Sequence, residues 1–455
     1  MPAPPSSAHD PYAALRIGGF RFYLIGNLLA IIGVQMQTAA VMWEVYERTG
    51  SKFQLGLVGL VEVLPVISLV LFTGHVADRL NRKHIVRTTM SVIALSSLGL
   101  AAVSLTSGPV WLIYVLLFVI GVARAFQQHA KSALLVQIVS PEHFPTAVTW
   151  STGAFQLACI VGPAVGSVLI GLTQLPALVY LLDTVTAATF VAMLTFVPVL
   201  QKYEPSKEPV TFHTLSAGLR FVWSDKVVLG AISLDMFAVL LGGATALLPV
   251  YATDILGVGA AGFGMLKAAP AVGAVLMALV IAHLPPMQRA GQSLLWAVAG
   301  FGMATIVFGI SESFPLSLAM LFLTGALDQI SVVIRHTLVQ LLTPNEMRGR
   351  VSAINGMFIG ASNELGAFES GTVAALTSPV VSVVSGGIGT LLVVLIAAIK
   401  LPQLRRYGRL RPLDPQQVTA PAVIDTPLDD PSTSPLAFPT EGALPSQPSG
   451  SASPR

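Results

Sequence analysis

Long apolar segments alternate with short polar connections along most of this chain. A membrane-spanning helix needs about 20 apolar residues, because the hydrocarbon layer is roughly 30 Å thick and an α-helix rises about 1.5 Å per residue. Open sheet edges are not tolerated in lipid, so the pattern predicts helices. The twelve predicted spans are 20–43, 53–77, 85–106, 110–136, 145–171, 176–199, 227–250, 259–284, 291–311, 315–340, 350–375 and 379–400.

The composition agrees with this pattern. Of 455 residues, 54% are hydrophobic and 10% are charged, whereas an ordinary soluble domain carries roughly 25% charged residues. Most of the chain therefore cannot face water, which excludes a typical cytosolic enzyme, a disordered protein and a coiled coil. The net charge is only +3, so no nucleic-acid partner is expected, and the lipid bilayer is the expected surrounding.

The sequence lacks the motifs of cofactor sites and catalytic sites. Cys159 is the only cysteine, so neither an intramolecular disulfide nor a cysteine metal site is expected. The eight histidines form no ligand cluster, and no phosphate-binding loop, nucleophile elbow or H-E-x-x-H motif occurs. We therefore expect no metal, no cofactor, no ATP-driven step and no enzyme activity. Residues 1–15 lack an apolar core, so no cleavable signal is expected there.

The basic residues predict the orientation in the membrane. With the N-terminus inside, the predicted inner segments hold twenty Lys and Arg residues, and the predicted outer loops hold Arg48 and Lys52 alone. The positive-inside rule then places both termini in the cytoplasm. The sequence thus predicts a multi-pass protein of the cell (inner) membrane.

A polar stretch and an internal repeat predict two halves. Residues 201–226 separate the spans six and six, and LVQIVSP at 135–141 is matched by LVQLLTP at 338–344, 203 residues later. Chance similarity between apolar helix ends is the alternative, but duplication explains the equivalent positions better. The predicted parts are a cytoplasmic segment 1–19, a six-helix bundle 20–200, a cytoplasmic loop 201–226, a second six-helix bundle 227–402 and a disordered cytoplasmic tail 403–455. Parallel six-helix repeats with a central site are a transporter architecture.

The connection between spans two and three carries the most specific motif. Residues 74–83 read GHVADRLNRK and resemble motif A of the major facilitator superfamily, G-x-x-x-D-R-x-G-R-K/R. The one departure is Asn81, where the family prefers Gly, and Asn tolerates a left-handed turn next best. A plain stop-transfer cluster is the alternative. The resemblance implies an all-α, twelve-helix membrane protein of two pseudo-symmetric bundles, with a cytoplasmic gate formed by Gly74, Asp78, Arg79, Arg82 and Lys83.

Three further segments resemble motifs of the same superfamily. Residues 344–350, PNEMRGR, resemble its P-x-E-x-R-G-R and imply a second gating loop, whereas the copy of motif A at 284–289 is eroded. In span five, Gly162, Pro163 and Gly166 resemble the antiporter motif C, although helix packing alone explains small residues equally well. Arg124 with Gln127 resembles motif B, whose arginine is tied to proton transfer. The gating candidates of the second loop are Glu346, Arg348 and Arg350.

Ionisable groups inside the predicted spans cost about 2.5–3.5 kcal/mol each on insertion scales, so each needs a partner, a cavity or a proton. Burial favours the neutral form of a carboxyl group, which can then take up a proton on one side and release it on the other. We favour Asp235 and Glu62 for this role, and we expect Lys267 to balance an acid, attract an anionic substrate or snorkel to the outer boundary. The proton-coupling candidates are Glu62, Arg124, Asp183, Asp235, Glu364 and Glu369.

Polar positions on the same spans predict a central substrate cavity. Asp328 and Arg335 are seven residues apart and share a helix face, so they either neutralise each other through a shared network or contact substrate. Asn355, Ser362 and Glu369 recur at the same spacing, and Glu364 points roughly the opposite way. The cavity candidates are Asn27, Gln35, Thr38, Gln127, Asp328, Arg335, Asn355 and Ser362.

The whole pattern is most similar to the enterobactin-exporter and drug-efflux branch of the superfamily. That resemblance implies a monomeric secondary transporter that exports a small amphipathic molecule, siderophore-like or drug-like, by alternating access in exchange for protons. Uptake or facilitated diffusion on the same fold is one alternative. A signalling or scaffold protein on a degenerate transporter fold is another, and a membrane enzyme is disfavoured because no catalytic constellation is present.

Overall fold

The computed structural model describes residues 10, 12–199, 219–285, 287–344 and 347–408. Within these ranges, the side chains of 70–72, 74–79, 129, 348–350 and 352–353 are not described. The described residues contain helices and turns, with no strand among them. The predicted disordered tail from residue 409 onward, and the central loop over 201–218, lie outside the described residues.

Twelve long helices correspond one to one with the predicted spans. They are α1 Gly18–Thr49, α2 Lys52–Arg79, α3 Arg82–Leu105, α4 Val110–Ile138, α5 Phe144–Thr173, α6 Pro176–Thr195, α7 Lys226–Leu241, α8 Gly259–His283, α9 Ala290–Ile310, α10 Phe314–Leu342, α11 Arg348–Leu376 and α12 Pro379–Lys400. Of the described segments, eleven are long and apolar enough to cross a membrane. The remaining one, α11, has 29 residues but is more polar, because it carries two arginines and two glutamates.

The seventh span differs from its predicted shape. The pattern predicts one helix over 227–250, but α7 ends at Leu241 and Gly242–Gly243 interrupt the helix. A 3₁₀ turn, a short α-helix and a π-helical turn over Tyr251–Ile255 complete the crossing. Glycines disfavour a continuous helix, since they lose the most backbone freedom on folding. Such a break is tolerated at membrane depth only where protein or a cavity surrounds it.

The helix contacts repeat with a shift of six. In the first half, α1 packs on α5 and α6, α2 packs on α4, and α3 packs on α4 and α6. In the second half, α7 packs on α11 and α12, α8 packs on α10, and α9 packs on α10 and α12. Each contact of the first half therefore has its counterpart, which confirms the expected fold of two pseudo-symmetric six-helix bundles. The halves meet through the equally symmetric pairs α2–α11 and α5–α8.

The two halves touch at one end of these pairs, where α2 begins and α11 ends. This is the end predicted to face outside, and it is called the outer end below. The Phe53 and Phe368 rings lie 6.1 Å apart across α2 and α11. The Tyr46 hydroxyl donates to the Asp254 carboxylate at 2.5 Å, which joins α1 to the segment after α7. Aromatic and polar contacts thus close the outer end.

Glycines toward the opposite end, called the inner end below, differ from those toward the outer end in their surroundings. A Cβ atom added at Gly56 of α2 would lie 3.1 Å from the Gly371 Cα, so the outer parts of α2 and α11 are in backbone contact. A Cβ atom at Gly356 or Gly360 of α11 meets no described heavy atom within 4 Å, and neither does one at Gly153 of α5. The contacts named here between the halves therefore lie toward the outer end, and these three glycines of α5 and α11 face open space.

A side chain at position 59 tests the contact between α2 and α11. A Cβ atom at Gly59 would lie 2.9 Å from the Glu364 carbonyl oxygen, so Gly59→Leu forces backbone apart. We expect the free energy of unfolding to fall by about 1–3 kcal/mol, the usual cost of overpacking. The measurement is thermal unfolding of the purified protein in one detergent. Gly153→Leu, on an exposed surface with open space around it, is the control, and equal stability of the two variants contradicts the contact.

Candidate functional site

An ion pair joins α2 and α4 near the middle of both helices. Arg124 Nη1 donates to Glu62 Oε2 at 2.5 Å, and Glu62 is 7% exposed. Gly121, almost one turn before Arg124, permits this approach, because a Cβ atom there would lie 2.7 Å from the Glu62 carbonyl oxygen. The pair neutralises two charges that would each be costly in the hydrocarbon layer.

Two charges of the second half face this pair across the interface. A Cβ atom added at Gly59 of α2 would lie 3.0 Å from Glu364 Oε2, so the Glu364 side chain points from α11 toward α2. Glu364 interacts electrostatically with Glu62, Arg124 and Lys267. Lys267 of α8 interacts in turn with both glutamates. Glu62, Arg124, Lys267 and Glu364, called the central cluster below, hold two acids and two bases drawn equally from the two halves.

The central cluster is connected to α1 and α5. The Lys267 ammonium donates to the Met42 sulfur at 3.3 Å, which places it beside α1. The Cys159 thiol interacts electrostatically with Lys267 and accepts from Gln35 Nε2 at 2.8 Å. Lys267 therefore interacts electrostatically with acids of both halves. Arg124 Nη2 is buried and has no hydrogen-bond partner among the described residues, so one donor of the cluster is unused.

A second ion pair lies inside the second half. Arg335 of α10 bonds the carboxylate of Asp235 on α7, and both side chains are almost fully buried. The spacing on α10 predicts a shared network of Asp328 and Arg335, and within it the direct partner of Arg335 is Asp235. Seven residues of α-helix rise about 10.5 Å, too far for a direct bond between two side chains of α10. Asp328 interacts with Asp235 and Arg335 only through longer-range electrostatics.

Asp183 occupies a buried hydrogen-bonded chain in the first half. Ser97 of α3 donates to Asp183 Oδ2 at 2.6 Å, and Gln37 of α1 donates to the Ser97 hydroxyl at 2.9 Å. Asp183 is fully buried, and its Oδ1 has no partner among the described residues. The chain ties α1, α3 and α6 together. Sequence reasoning missed Gln37 and Ser97, since their only signal is polarity in an apolar helix.

The remaining cavity candidates do not form one cluster. Asn27 and Asn355 are buried, and the side-chain oxygen of each has no hydrogen-bond partner within the described part of the chain. Gln127 donates to the Met90 sulfur at 2.5 Å. Two more cavity candidates bond locally, Thr38 to the Val34 carbonyl and Ser362 to the Ile359 carbonyl. The proton-coupling candidate Glu369 accepts from the Ser370 hydroxyl. In the described part of the chain no group of three or more His, Cys, Asp or Glu could hold a metal.

The motif C residues bring three helices together. A Cβ atom added at Gly166 would lie 3.1 Å from the Met36 Cα of α1. A Cβ atom added at Gly162 would lie 3.0 Å from the Ile32 carbonyl oxygen of the same helix. On the other side, a Cβ atom at Gly264 of α8 would lie 3.0 Å from the Pro163 carbonyl oxygen. The small residues of α5 therefore allow α1 and α8 to approach it from two sides.

The described part of motif A joins two helix ends. Asn81 is extended rather than left-handed, and its side chain accepts from the Lys83 backbone N–H at 3.0 Å, so it caps the N-terminus of α3. The Lys83 ammonium donates to the carbonyl of Thr195, the last residue of α6, at 3.4 Å. It also donates to the carbonyl of Val197, just beyond that helix, at 2.7 Å. Arg82 is the first residue of α3. The side chains of Gly74, Asp78, Arg79, Arg348 and Arg350, and the whole of Glu346, lie outside the described part.

The sequence matches a family model and several curated proteins. A model described as transmembrane secretion effector, of the major facilitator type, matches residues 9–428. The enterobactin exporter EntS of Escherichia coli O1:K1 / APEC is 26% identical over 405 residues, which cover 88% of this chain and 95% of that protein. EntS of Shigella boydii serotype 18 matches with the same identity and coverage.

Solved transporter structures share the fold. A bacterial homologue of the human lysosomal transporter Spinster, in an inward-facing and occupied conformation, superposes with a TM-score of 0.65 at 12% identity, covering 88% of this chain and 99% of that one. An inward-facing bacterial homologue of the iron transporter ferroportin superposes with a TM-score of 0.64 at 16% identity. The match covers 87% of this chain and 100% of that one. At such identities the likeness shows the fold alone.

The Asp235–Arg335 pair predicts a non-additive response to substitution. Asp235→Asn or Arg335→Gln alone leaves a buried charge without its partner, so we expect each to destabilise the protein by about 3–5 kcal/mol. The double variant removes both charges and should recover a large part of that loss. The measurement is thermal unfolding of the four proteins in one detergent. Additive losses in the double variant would show that the two side chains do not act as a pair.

Proposed function

Because this chain belongs to the transmembrane secretion effector family of major facilitator transporters, we propose that it exports a small amphipathic molecule, siderophore-like or drug-like, by alternating access in exchange for protons. The curated relatives named above, which match almost their whole length, are enterobactin exporters. Their similarity supports export rather than uptake. The chain carries both halves of the transporter, so a monomer suffices for the cycle.

The observation that carries the proposal is the central cluster. It lies on the interface that must open and close, and each half contributes one acid and one base to it. When the outer ends separate, Lys267 and Glu364 move away from Glu62 and Arg124. One of the two acids, Glu62 or Glu364, can then take up a proton from outside. Closure of the outer end then restores the neutral cluster and releases the proton toward the inner side.

The arrangement of the two ends fits the loading step of an exporter. In support, the halves are in contact at the outer end, and Gly153, Gly356 and Gly360 toward the inner end face open space. With both termini in the cytoplasm of a cell (inner) membrane protein, this is an inward-open state. An exporter in that state takes its substrate from the cytoplasm. Gln127, Asn27 and Asn355 carry buried polar groups that serve as substrate contacts in this proposal.

The gating loops belong to the same proposal. Lys83 ties the start of α3 to the end of α6, so the motif A loop moves with the first half. Asp78, with Gly74 and Arg79, closes the inner end against the loop that carries Glu346, Arg348 and Arg350. The loop over 201–226 links the two bundles, 20–200 and 227–402, and lets them rock as separate bodies.

Everted membrane vesicles test this function. With an imposed gradient acid inside, we expect accumulation of enterobactin or of ethidium, used as siderophore and drug probes. Glu62→Gln and Glu364→Gln should each lower gradient-driven accumulation at least tenfold, because the central cluster can no longer exchange its proton. Glu312→Gln, an exposed acid between α9 and α10, is the control and should behave as the unchanged protein.

Two outcomes contradict the proposal. Equilibration of the probes without dependence on the gradient indicates facilitated diffusion or uptake. Folded, membrane-inserted protein that moves neither probe under any gradient indicates a signalling or scaffold protein on the same fold.

A further inference from the structure

A pocket in the second half is lined by residues of that half alone. It has a volume of about 220 Å³ and is lined by residues of α7 to α11 and of the segment that follows α7. That volume far exceeds the roughly 10–15 Å³ that one water molecule needs. The polar residues that line it are Thr245, Thr305, Thr324, Asp328 and Asn363. We call it the second-half pocket.

The break in α7 forms one wall of this pocket. Gly242 and Gly243, where the helix stops, line it together with Thr245. A small recess adjoins the pocket, because Phe301 and Asp328 line both. Irregular backbone at membrane depth occurs where protein covers it or where it faces a cavity that holds water or a ligand. The interruption of α7 therefore has a location that suits a binding site.

The pocket and its recess carry one acid without a counter-charge. Asp235, which lines the recess, is paired with Arg335. Asp328 makes no hydrogen bond or ion pair with the described residues, and only the longer-range field of Arg335 acts on it favourably. The charges of these three side chains sum to −1 when all are ionised. A carboxylate at this depth needs a partner, and the pocket provides space for a cationic one.

A second buried group in the recess also lacks a partner. Ser331 is 2% exposed, and its hydroxyl oxygen has no hydrogen-bond partner among the described residues. It lines the recess together with Asp328 and stands one helical turn away from it on α10. Buried hydroxyl groups are normally satisfied. A carboxylate and a hydroxyl that share one space and lack partners match the hydrogen-bond donors of an ammonium group.

We propose that the second-half pocket binds the protonated amine of the transported molecule, so that the substrates are amphipathic organic cations. This inference rests on the proposed export function and names its substrate class. Asp328 supplies the counter-charge and Ser331 an acceptor. Phe301 and Phe308 present aromatic rings in the same pocket, and aromatic faces attract ammonium groups and pack against apolar carbon.

The lining favours an organic cation over a bare metal ion. Multivalent metals take several carboxylate, imidazole or thiolate ligands, and no described group of three such residues exists. Apolar residues, among them Leu321 and Pro270, make up much of the wall. Because the pocket belongs to one half, it keeps its shape while the halves rock, so it can hold the ammonium group in both states of the cycle.

Binding to the purified, full-length protein in detergent tests the inference. The probes are 2-phenylethylammonium and its uncharged analogue 2-phenylethanol, measured by isothermal titration. We expect the amine to bind at least tenfold more tightly than the alcohol. Asp328→Asn should remove at least tenfold of the amine affinity and leave the alcohol unchanged, and Ser331→Ala should weaken the amine about threefold. Asp225→Asn is the control, because this acid caps α7 at the inner end, outside the pocket, and Asn keeps the cap.

Equal binding of amine and alcohol to the unchanged protein overturns the inference and does not depend on any variant folding. So does undiminished amine binding in a folded Asp328→Asn protein, which would mean that Asp328 is simply held neutral. The export proposal fails separately. Protein that binds the amine but moves no probe in vesicles contradicts export alone, whereas gradient-driven export of enterobactin without amine binding contradicts this inference alone.

Discussion

A charge inside the hydrocarbon layer is expensive unless it has a partner, and this constraint explains how the charged side chains at the interface between the two halves are arranged. The first half supplies Glu62 and Arg124 to the central cluster, and the second half supplies Lys267 and Glu364. Each half therefore brings one acid and one base, and the four side chains face one another at the interface between the halves. A membrane transporter that alternates its opening must break this interface, so each cycle changes the surroundings of the same acids. Charge balance and conformational change are coupled through one set of residues.

Small residues are what allow these charges to meet. Gly121 lets α4 reach Glu62, and Gly59 lets α11 bring Glu364 against α2. The glycine pair in α7 acts differently, since it stops a helix and exposes a wall of the second-half pocket. Helix association in membranes depends on close backbone packing rather than on hydrophobic burial. Glycine positions thus decide where polar groups can be placed in this fold.

Much of the fold could be predicted from hydropathy. The spans, the two halves and the family follow from apolar length, the repeat near residues 135 and 338, and motif A, because lipid restricts a chain to few solutions. The charge partners could not be predicted. Arg335 pairs with Asp235 across helices rather than with Asp328 along one helix, and helix rotation and crossing decide this. Lys267 and the break after Leu241 were likewise invisible to periodicity. The gate residues of motif A and of the second loop stay predictions.

The central claim is that charge balance in the central cluster holds the outer end closed. Double electron–electron resonance measures it directly, with spin labels at Lys52→Cys and Leu376→Cys in a Cys159→Ser background. These positions lie at the outer ends of α2 and α11. We expect a short distance in the parent protein and a larger population of a longer distance after Glu62→Gln, which leaves Arg124 uncompensated. A single short distance that is identical in both proteins would contradict the account.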